Sequence, residues 1–200
     1  MKRYVLGLPL ALALLGTAFA QQNATPVFIP ILNANFDADD LGCGAGASCY
    51  SNGATGWLCG AGSGVAKFSN VQYPEAPADG LYAASIGSSY VTGSILQTVG
   101  ANLQANTTYT LTMLVGARAD YPFTGYVASI LAGDVTVASG HAATPVGGSF
   151  VPEEIVYHSG ATPPQLGEPL QVFVKSVGTG QVNVRAVAVS MTASETGGKQ

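Results

Sequence analysis

The sequence predicts an all-β fold, an antiparallel β-sandwich of jelly-roll type, on three observations. Short runs of β-branched and aromatic residues recur along the chain, one of them with strict period-two polarity. Clusters of Gly, Pro, Asn and Asp separate them. Beyond the first 20 residues, almost no window carries helical periodicity over four turns, and many short strands with Gly/Pro turns make a sandwich or barrel.

The elements follow in order. Residues 27–32, VFIPIL, read as a first strand in which Pro30 demands an edge or bulged position, because it has no N–H for a ladder. Residues 33–37, NANFD, lead into a Gly-rich loop, after which Trp57 and Leu58 are expected in the core and a short strand at 65–68. Residues 73–80, YPEAPADG, form a loop before a strand at 81–85. Strands at 91–99 and 107–116 follow. In the second, Thr108, Thr110 and Thr112 oppose Tyr109, Leu111 and Met113, so one face is polar and the other apolar. The link between these two is too short for a crossover helix, which favours antiparallel pairing. Further strands are expected at 125–132 and 134–139, joined tightly through Ala132-Gly133, and at 149–157. The last two, 170–177 and 181–191, read as a hairpin across the turn GTG.

Length and charge bound the rest. Of 200 residues, 7 are Lys or Arg, 11 are Asp or Glu and 26 are Gly, enough chain for one domain with little charge to cover it. Residues 1–20 place Lys2 and Arg3 before an apolar run and end on Ala18-Phe19-Ala20, the layout of a signal peptide cleaved before Gln21. The mature chain then has a single sandwich domain over 26–193 and a flexible tail at 194–200, and is expected to be secreted or periplasmic. Loss of Lys2 and Arg3 makes it more acidic still, the wrong sign for nucleic acid. No second run reaches the roughly 18 apolar residues that cross a bilayer, so no membrane span is expected.

Cys43, Cys49 and Cys59 sit in one Gly/Ala/Ser-rich stretch. Export permits a disulfide. Cys43–Cys49 is favoured because the intervening glycines let a tight loop close, with Cys49–Cys59 as the rival. A zinc site is disfavoured, since His141 and His158 lie far along the chain.

PILNANFD at 30–37, GWLCGAGSGV at 56–65, the long block at 93–139 and LGEPLQVFVKSVGTGQVNVRAVAVSM at 166–191 together resemble an exported β-sandwich family. That family includes the calcium-dependent Stig cyclases and is akin to carbohydrate-binding modules. The resemblance implies a jelly-roll of two antiparallel sheets, first and last strands side by side, and, from the cyclases, bound calcium and a homodimer. Family members end on a segment whose aspartate has a structural, metal-related or catalytic duty; here that position reads as Arg185. A guanidinium can neither ligate calcium nor exchange protons at ordinary pH. Arg185 is either an outward-facing strand residue or the partner of Asp37.

Three functions compete for these residues. The leading expectation is a non-catalytic module for an extracellular glycan or another surface component, with Tyr73, Tyr121, Phe123 and Tyr126 as ligand-binding candidates. The enzyme alternative is a calcium-assisted terpenoid or alkaloid cyclase. For it, Asp120, Glu154 and Tyr126 are the catalytic candidates, because protonating an alkene requires a carboxyl of raised pKa. Asp37, Asp39 and Asp40 offer the oxygen ligands that Ca2+ prefers. The third class is a matrix or fibre subunit, since low-charge strands with few lysines do not oppose edge-to-edge contact. Neither a nucleophile elbow nor a phosphate-binding glycine loop is present.

Overall fold

The computed structural model describes residues 24–193, which form twelve strands and, among these residues, no helix. Residues 1–20 and the 194–200 tail lie outside the described residues. In chain order the strands are β1 Val27–Ile29, β2 Cys49–Asn52, β3 Leu58–Cys59, β4 Ser63–Phe68, β5 Leu81–Ile86, β6 Ser94–Asn102, β7 Thr107–Ala117, β8 Tyr126–Ala132, β9 Val135–Gly140, β10 Ser149–His158, β11 Pro169–Ser176 and β12 Val182–Ala193. They build two antiparallel sheets. A seven-stranded sheet runs β10-β7-β12-β5-β4-β2, with β1 added on β12, and a five-stranded sheet runs β3-β6-β11-β8-β9.

The long last strand organises the larger sheet. Its first residues pair with β5, Val182 opposite Ile86, and its last with β1, Val27 opposite Met191, while β7 flanks it on the other side. The first and last strands are therefore neighbours, as the resemblance implied. Between the two pairings β12 bulges at Arg185–Ala188, with Ala186 at φ 51, and there the Val187 N–H donates to the Ala34 carbonyl at 3.1 Å. Pro30 closes β1 where no ladder donor is needed. The β8–β9 hairpin turns on Gly133 and Asp134, both at positive φ, as a two-residue turn between twisted strands requires.

Two expected pairings are corrected. β6 and β7 lie in different sheets, and so do β11 and β12, so residues 103–106 and 177–181 are arches across the sandwich instead of hairpin turns. Both flanking strands in each case carry an apolar face that meets the other sheet, and a short polar link can bridge two sheets about 10 Å apart as readily as two strands in one.

The interior follows the alternation. Tyr109, Leu111, Met113 and Val115 of β7 are buried while Thr108, Thr110 and Thr112 are half-buried on the opposite face. Facing them, Val172, Val174, Ala128 and Ile130 complete the sandwich core. Trp57 joins it: the indole N–H donates to the Leu32 and Asn33 carbonyls at 3.1 and 3.3 Å, and the ring tilts against Phe36 at 5.2 Å. Leu58 does not join it; next in a two-residue edge strand, it points outward and is exposed. A second apolar cluster of Ala66, Phe68, Tyr73 and Ala83 lies on the other face of the seven-stranded sheet.

Candidate functional site

That second face carries the candidate site. Ala66 and Phe68 of β4 alternate with Val65, which faces the sandwich core, so they present outward. Residues 69–80 then fold back over the sheet, because Tyr73 fills a slot of small residues. The Tyr73 ring stacks on Phe150 at 4.5 Å and meets Phe68 edge-on at 5.3 Å, and its hydroxyl donates to Asn183 Oδ1 at 2.7 Å. Phe150 in turn lies across Gly116, where an added Cβ would come within 2.5 Å of the ring. Tyr73 is only 2% exposed, so its expected role as an open ligand platform is corrected: the prolines on its loop mark a bend and not exposure.

Beside this cluster opens a groove of ≈ 510 Å³, with Tyr50, Asn52, Phe68, Gln72, Arg118 and Gln181 among its walls. Arg118 follows β7 directly, and its guanidinium is held by three hydrogen bonds and two rings. Nε donates to Asp120 Oδ1 and Nη2 to Oδ2, both at 2.8 Å, and Nη1 donates to Gln181 Oε1 at 3.2 Å. The plane sits 5.6 Å over the Phe68 ring and 5.1 Å over Tyr121. Five N–H bonds with three committed leave two for a ligand. Gln72 extends the network: its amide donates to Asp120 at 3.2 Å, and its carbonyl accepts from Ser48 Oγ at 2.6 Å. The Arg118 fork holds the Asp120 carboxyl below the usual aspartate range. Its folded-state pKa being lowered, the contribution of Asp120 to stability is full above the unfolded value and fades as pH falls through the lower folded one.

The three catalytic candidates do not converge. Asp120 stands behind Arg118 as an ionised partner, the reverse of the raised pKa a proton donor needs. Glu154 is exposed on β10, opposite Thr112. Tyr126 is buried, and its hydroxyl donates to Glu153 at 2.7 Å. Burial, then that carboxylate, push the Tyr126 hydroxyl well above the usual tyrosine range. Of the ligand-binding candidates, Tyr121 borders the site through Arg118 and takes the Ser89 N–H at 2.6 Å. Phe123 lies 6.3 Å from Tyr126 at a separate apolar hollow. Nothing in the sequence singled out Gln72 or Gln181, which are polar residues in loops; only the folded chain brings them to Arg118.

The acidic trio does not fit calcium. Asp39 commits both oxygens to the loop, accepting from Asn33 Nδ2 at 2.8 Å and from the Thr55 hydroxyl at 2.6 Å, as well as from the Thr55 N–H. Asp40 accepts from the Gly42 N–H at 2.8 Å. Asp37 faces a different cavity, which also holds Lys67 and Arg185. Among the described residues, no three His, Cys, Asp or Glu side chains gather in one place. Asp39→Ala is expected to cost about 1–2 kcal/mol, the loss of the acceptor that Asn33 and Thr55 share. The cost should be equal in urea titrations with calcium and with chelator; a cost that vanished on chelation would make Asp39 a ligand.

The Cys43–Cys49 disulfide forms as favoured, leaving Cys59 free and half-buried. It pins the start of β2, and the Cys43 carbonyl accepts from Lys67 Nζ at 3.3 Å.

No curated protein matches the chain. Among solved structures, a Stig cyclase, Fisc, from Fischerella sp. TAU in complex with (3Z)-3-(1-methyl-2-pyrrolidinylidene)-3H-indole superposes with a TM-score of 0.74 at 22% identity, over 86% of this chain and 100% of that one. A cyclase from Fischerella sp. TAU in complex with 4-(1H-indol-3-yl)butan-2-one gives a TM-score of 0.72 at 22% identity, over 85% and 100%. A family 16 carbohydrate-binding module gives 0.48 at 13% identity, over 80% and 97%. A family model described as HpiC1-like, HpiC1 cyclase, matches residues 27–189, from the first strand into the last. The chain therefore belongs to the HpiC1-like cyclase family.

Proposed function

We propose that the chain is a small-molecule cyclase whose working site is the Arg118 groove. One observation carries the reading: a guanidinium immobilised by Asp120, Phe68 and Tyr121 keeps two N–H bonds open beside an apolar floor. Such a group polarises a carbonyl or imine acceptor and stabilises the charge that grows on it during ring closure. The exposed Tyr50 ring supplies a surface on which an aromatic or terpenoid body folds back towards that acceptor. Asp120 is a positioning residue here, and no step runs through a carboxylic acid or through calcium. This reading displaces the glycan-binding module, since two of its four aromatic candidates, Tyr73 and Tyr126, are in the interior. Export belongs to the same proposal; protein sequencing of the mature chain should begin at Gln21.

The test uses 4-(1H-indol-3-yl)butan-2-one, the molecule bound by one cyclase relative, which carries an aromatic body and one ketone. Calorimetric titration should show saturable binding that weakens at least tenfold in Arg118→Leu, as the loss of a charge-assisted hydrogen bond implies. Arg118→Lys should restore little, because an ammonium does not reproduce the planar fork. Incubation with indoles bearing an unsaturated carbonyl or imine chain should then yield a ring-closed isomer of unchanged mass. Binding indifferent to Arg118, or saturable binding to a neutral glycan in its place, would overturn the assignment.

A further inference from the structure

A second cavity, of ≈ 460 Å³, opens where the β12 bulge meets residues 35–37 and 77–82. Its charges are ordered by depth. Lys67 is 8% exposed, and its ammonium, with three donors, has one protein acceptor, the Cys43 carbonyl, and lies 5.8 Å over the Tyr82 ring. Arg185 is half-buried, with its Nε atom buried and without a hydrogen-bond partner. A buried guanidinium N–H left without an acceptor is costly, and such atoms are rare unless something else satisfies them. The two carboxylates of the cavity, Asp37 and Asp79, are exposed at its rim. Among the described residues neither comes within 4.0 Å of Arg185, where Arg118–Asp120 is the ion pair formed. The expected Arg185–Asp37 bridge is thus replaced by a shared cavity.

The backbone around it is shaped to the same end. Residues Ala186 and Phe36 both take positive φ, 51 and 61, and the Val187 N–H to Ala34 carbonyl bond locks the bulge that delivers Arg185 to this end of the sheet. Gly80, at φ 100, leaves the room through which the Lys67 stem passes: an added Cβ there would fall 2.5 Å from Lys67 Cε.

We infer that this cavity is a binding site for a small zwitterion, its carboxylate or other oxyanion held inside by Arg185 and Lys67 and its ammonium held at the rim by Asp37 and Asp79. The ligand's oxyanion supplies the acceptor that Arg185 Nε lacks, and the rim carboxylates reject a simple dianion by repulsion. The site is separate from the Arg118 groove, with which it shares only Lys67 as a lining residue.

Three probes read the two ends independently: β-alanine with both charges, acetate with only the anion, and β-alaninamide with only the cation. In calorimetric or NMR titrations of the mature protein, β-alanine should bind saturably in the millimolar range, acetate at least fivefold more weakly, and β-alaninamide not at all. Arg185→Gln should weaken β-alanine at least tenfold. Should that variant fold poorly, Asp79→Asn, at an exposed position, should weaken β-alanine towards the acetate value while leaving acetate unchanged or tighter. Absence of saturable β-alanine binding, equal affinity for acetate, or tighter β-alanine binding in Asp37→Asn, which would show that Asp37 itself occupies Arg185 in solution, each overturns the site.

Discussion

Replacing Tyr73 with Ala is expected to destabilise the fold by about 3–5 kcal/mol, the cost of emptying a well-packed aromatic site. The ring is 2% exposed and touches Phe68 on one side and Phe150 on the other. It is also the contact by which residues 69–80 adhere to the sheet, so the alanine variant loses packing on both surfaces. A second effect adds to the first. Asn183 is fully buried, donates its amide to the Ala84 carbonyl at 3.1 Å, and accepts from the Tyr73 hydroxyl; truncation leaves Oδ1 without a donor. Burial drives the Tyr73 hydroxyl far above the usual tyrosine range, so it stays protonated and keeps donating at any pH the fold survives. Tyr73→Phe separates the two effects: it keeps the ring and loses the donor, and should cost about 1–2 kcal/mol. Urea titration of both variants measures the difference. A Tyr73→Ala cost below about 1 kcal/mol would mean that the loop does not hold the ring against the sheet. Because Gln72 is the preceding residue and reaches Asp120, the same variant should also loosen the Arg118 network and weaken groove binding.

The sequence made most strands legible through alternation and punctuation, and the reasons for the exceptions are physical. β2, CYSN, and β3, LC, are too short and too poor in β-branched residues to show a period, yet β2 pairs with β4 over four residues and extends the sheet beneath the groove. The sequence does not separate these two arches from hairpins, because a short polar link fits both geometries; only the apolar faces of the flanking strands, taken together, decide between them. The site was less legible than the fold. Tyr73 sits among Pro74, Glu75, Pro77 and Asp79, a composition that signals solvent, whereas its burial depends on Ala66, Ala83 and Gly116 leaving a slot on three separate strands. Arg118 and Asp120 both lie just past β7, and the fork geometry that lowers the carboxyl pKa is set by the turn there, to which Gln72, 48 residues away, adds a further donor. Arg185 was singled out for its chemistry, and the bulge that turns it into a cavity has no counterpart in the period-two pattern.

Glu153→Leu is expected to be the most damaging single change outside the apolar core, at about 3–5 kcal/mol, because it removes one partner from a buried charged network and leaves the others unpaired. β10 and β9 are the outermost strands of the two sheets on the same side, and Glu153 ties β10 to Tyr126 of β8 and to the segment that follows β9. Its Oε2 accepts from the Tyr126 hydroxyl at 2.7 Å and the Ala143 N–H at 2.8 Å, and its Oε1 accepts from the Ala142 N–H at 3.3 Å. The carboxylate fits because residue 140 is glycine; a Cβ there would stand 2.6 Å from Oε1. Leucine fills the volume but accepts nothing, so the Tyr126 hydroxyl and the Ala142 N–H lose their acceptor, and the Ala143 N–H keeps only the Tyr126 hydroxyl oxygen at 3.0 Å. Glu153→Gln retains one carbonyl oxygen and turns an amide donor towards other donors, and should cost about half as much. Tyr126→Phe removes the opposite end, so the double variant with Glu153→Gln should show a coupling of about 1–3 kcal/mol. Hydrogen exchange supplies the readout that global stability cannot: the Ala142 and Ala143 amides should lose protection in Glu153→Leu more than the β7 core amides do. Uniform loss across both would mean that Glu153 contributes only volume, and the tie between the sheets would have to lie in the packing of Ile155 against β9.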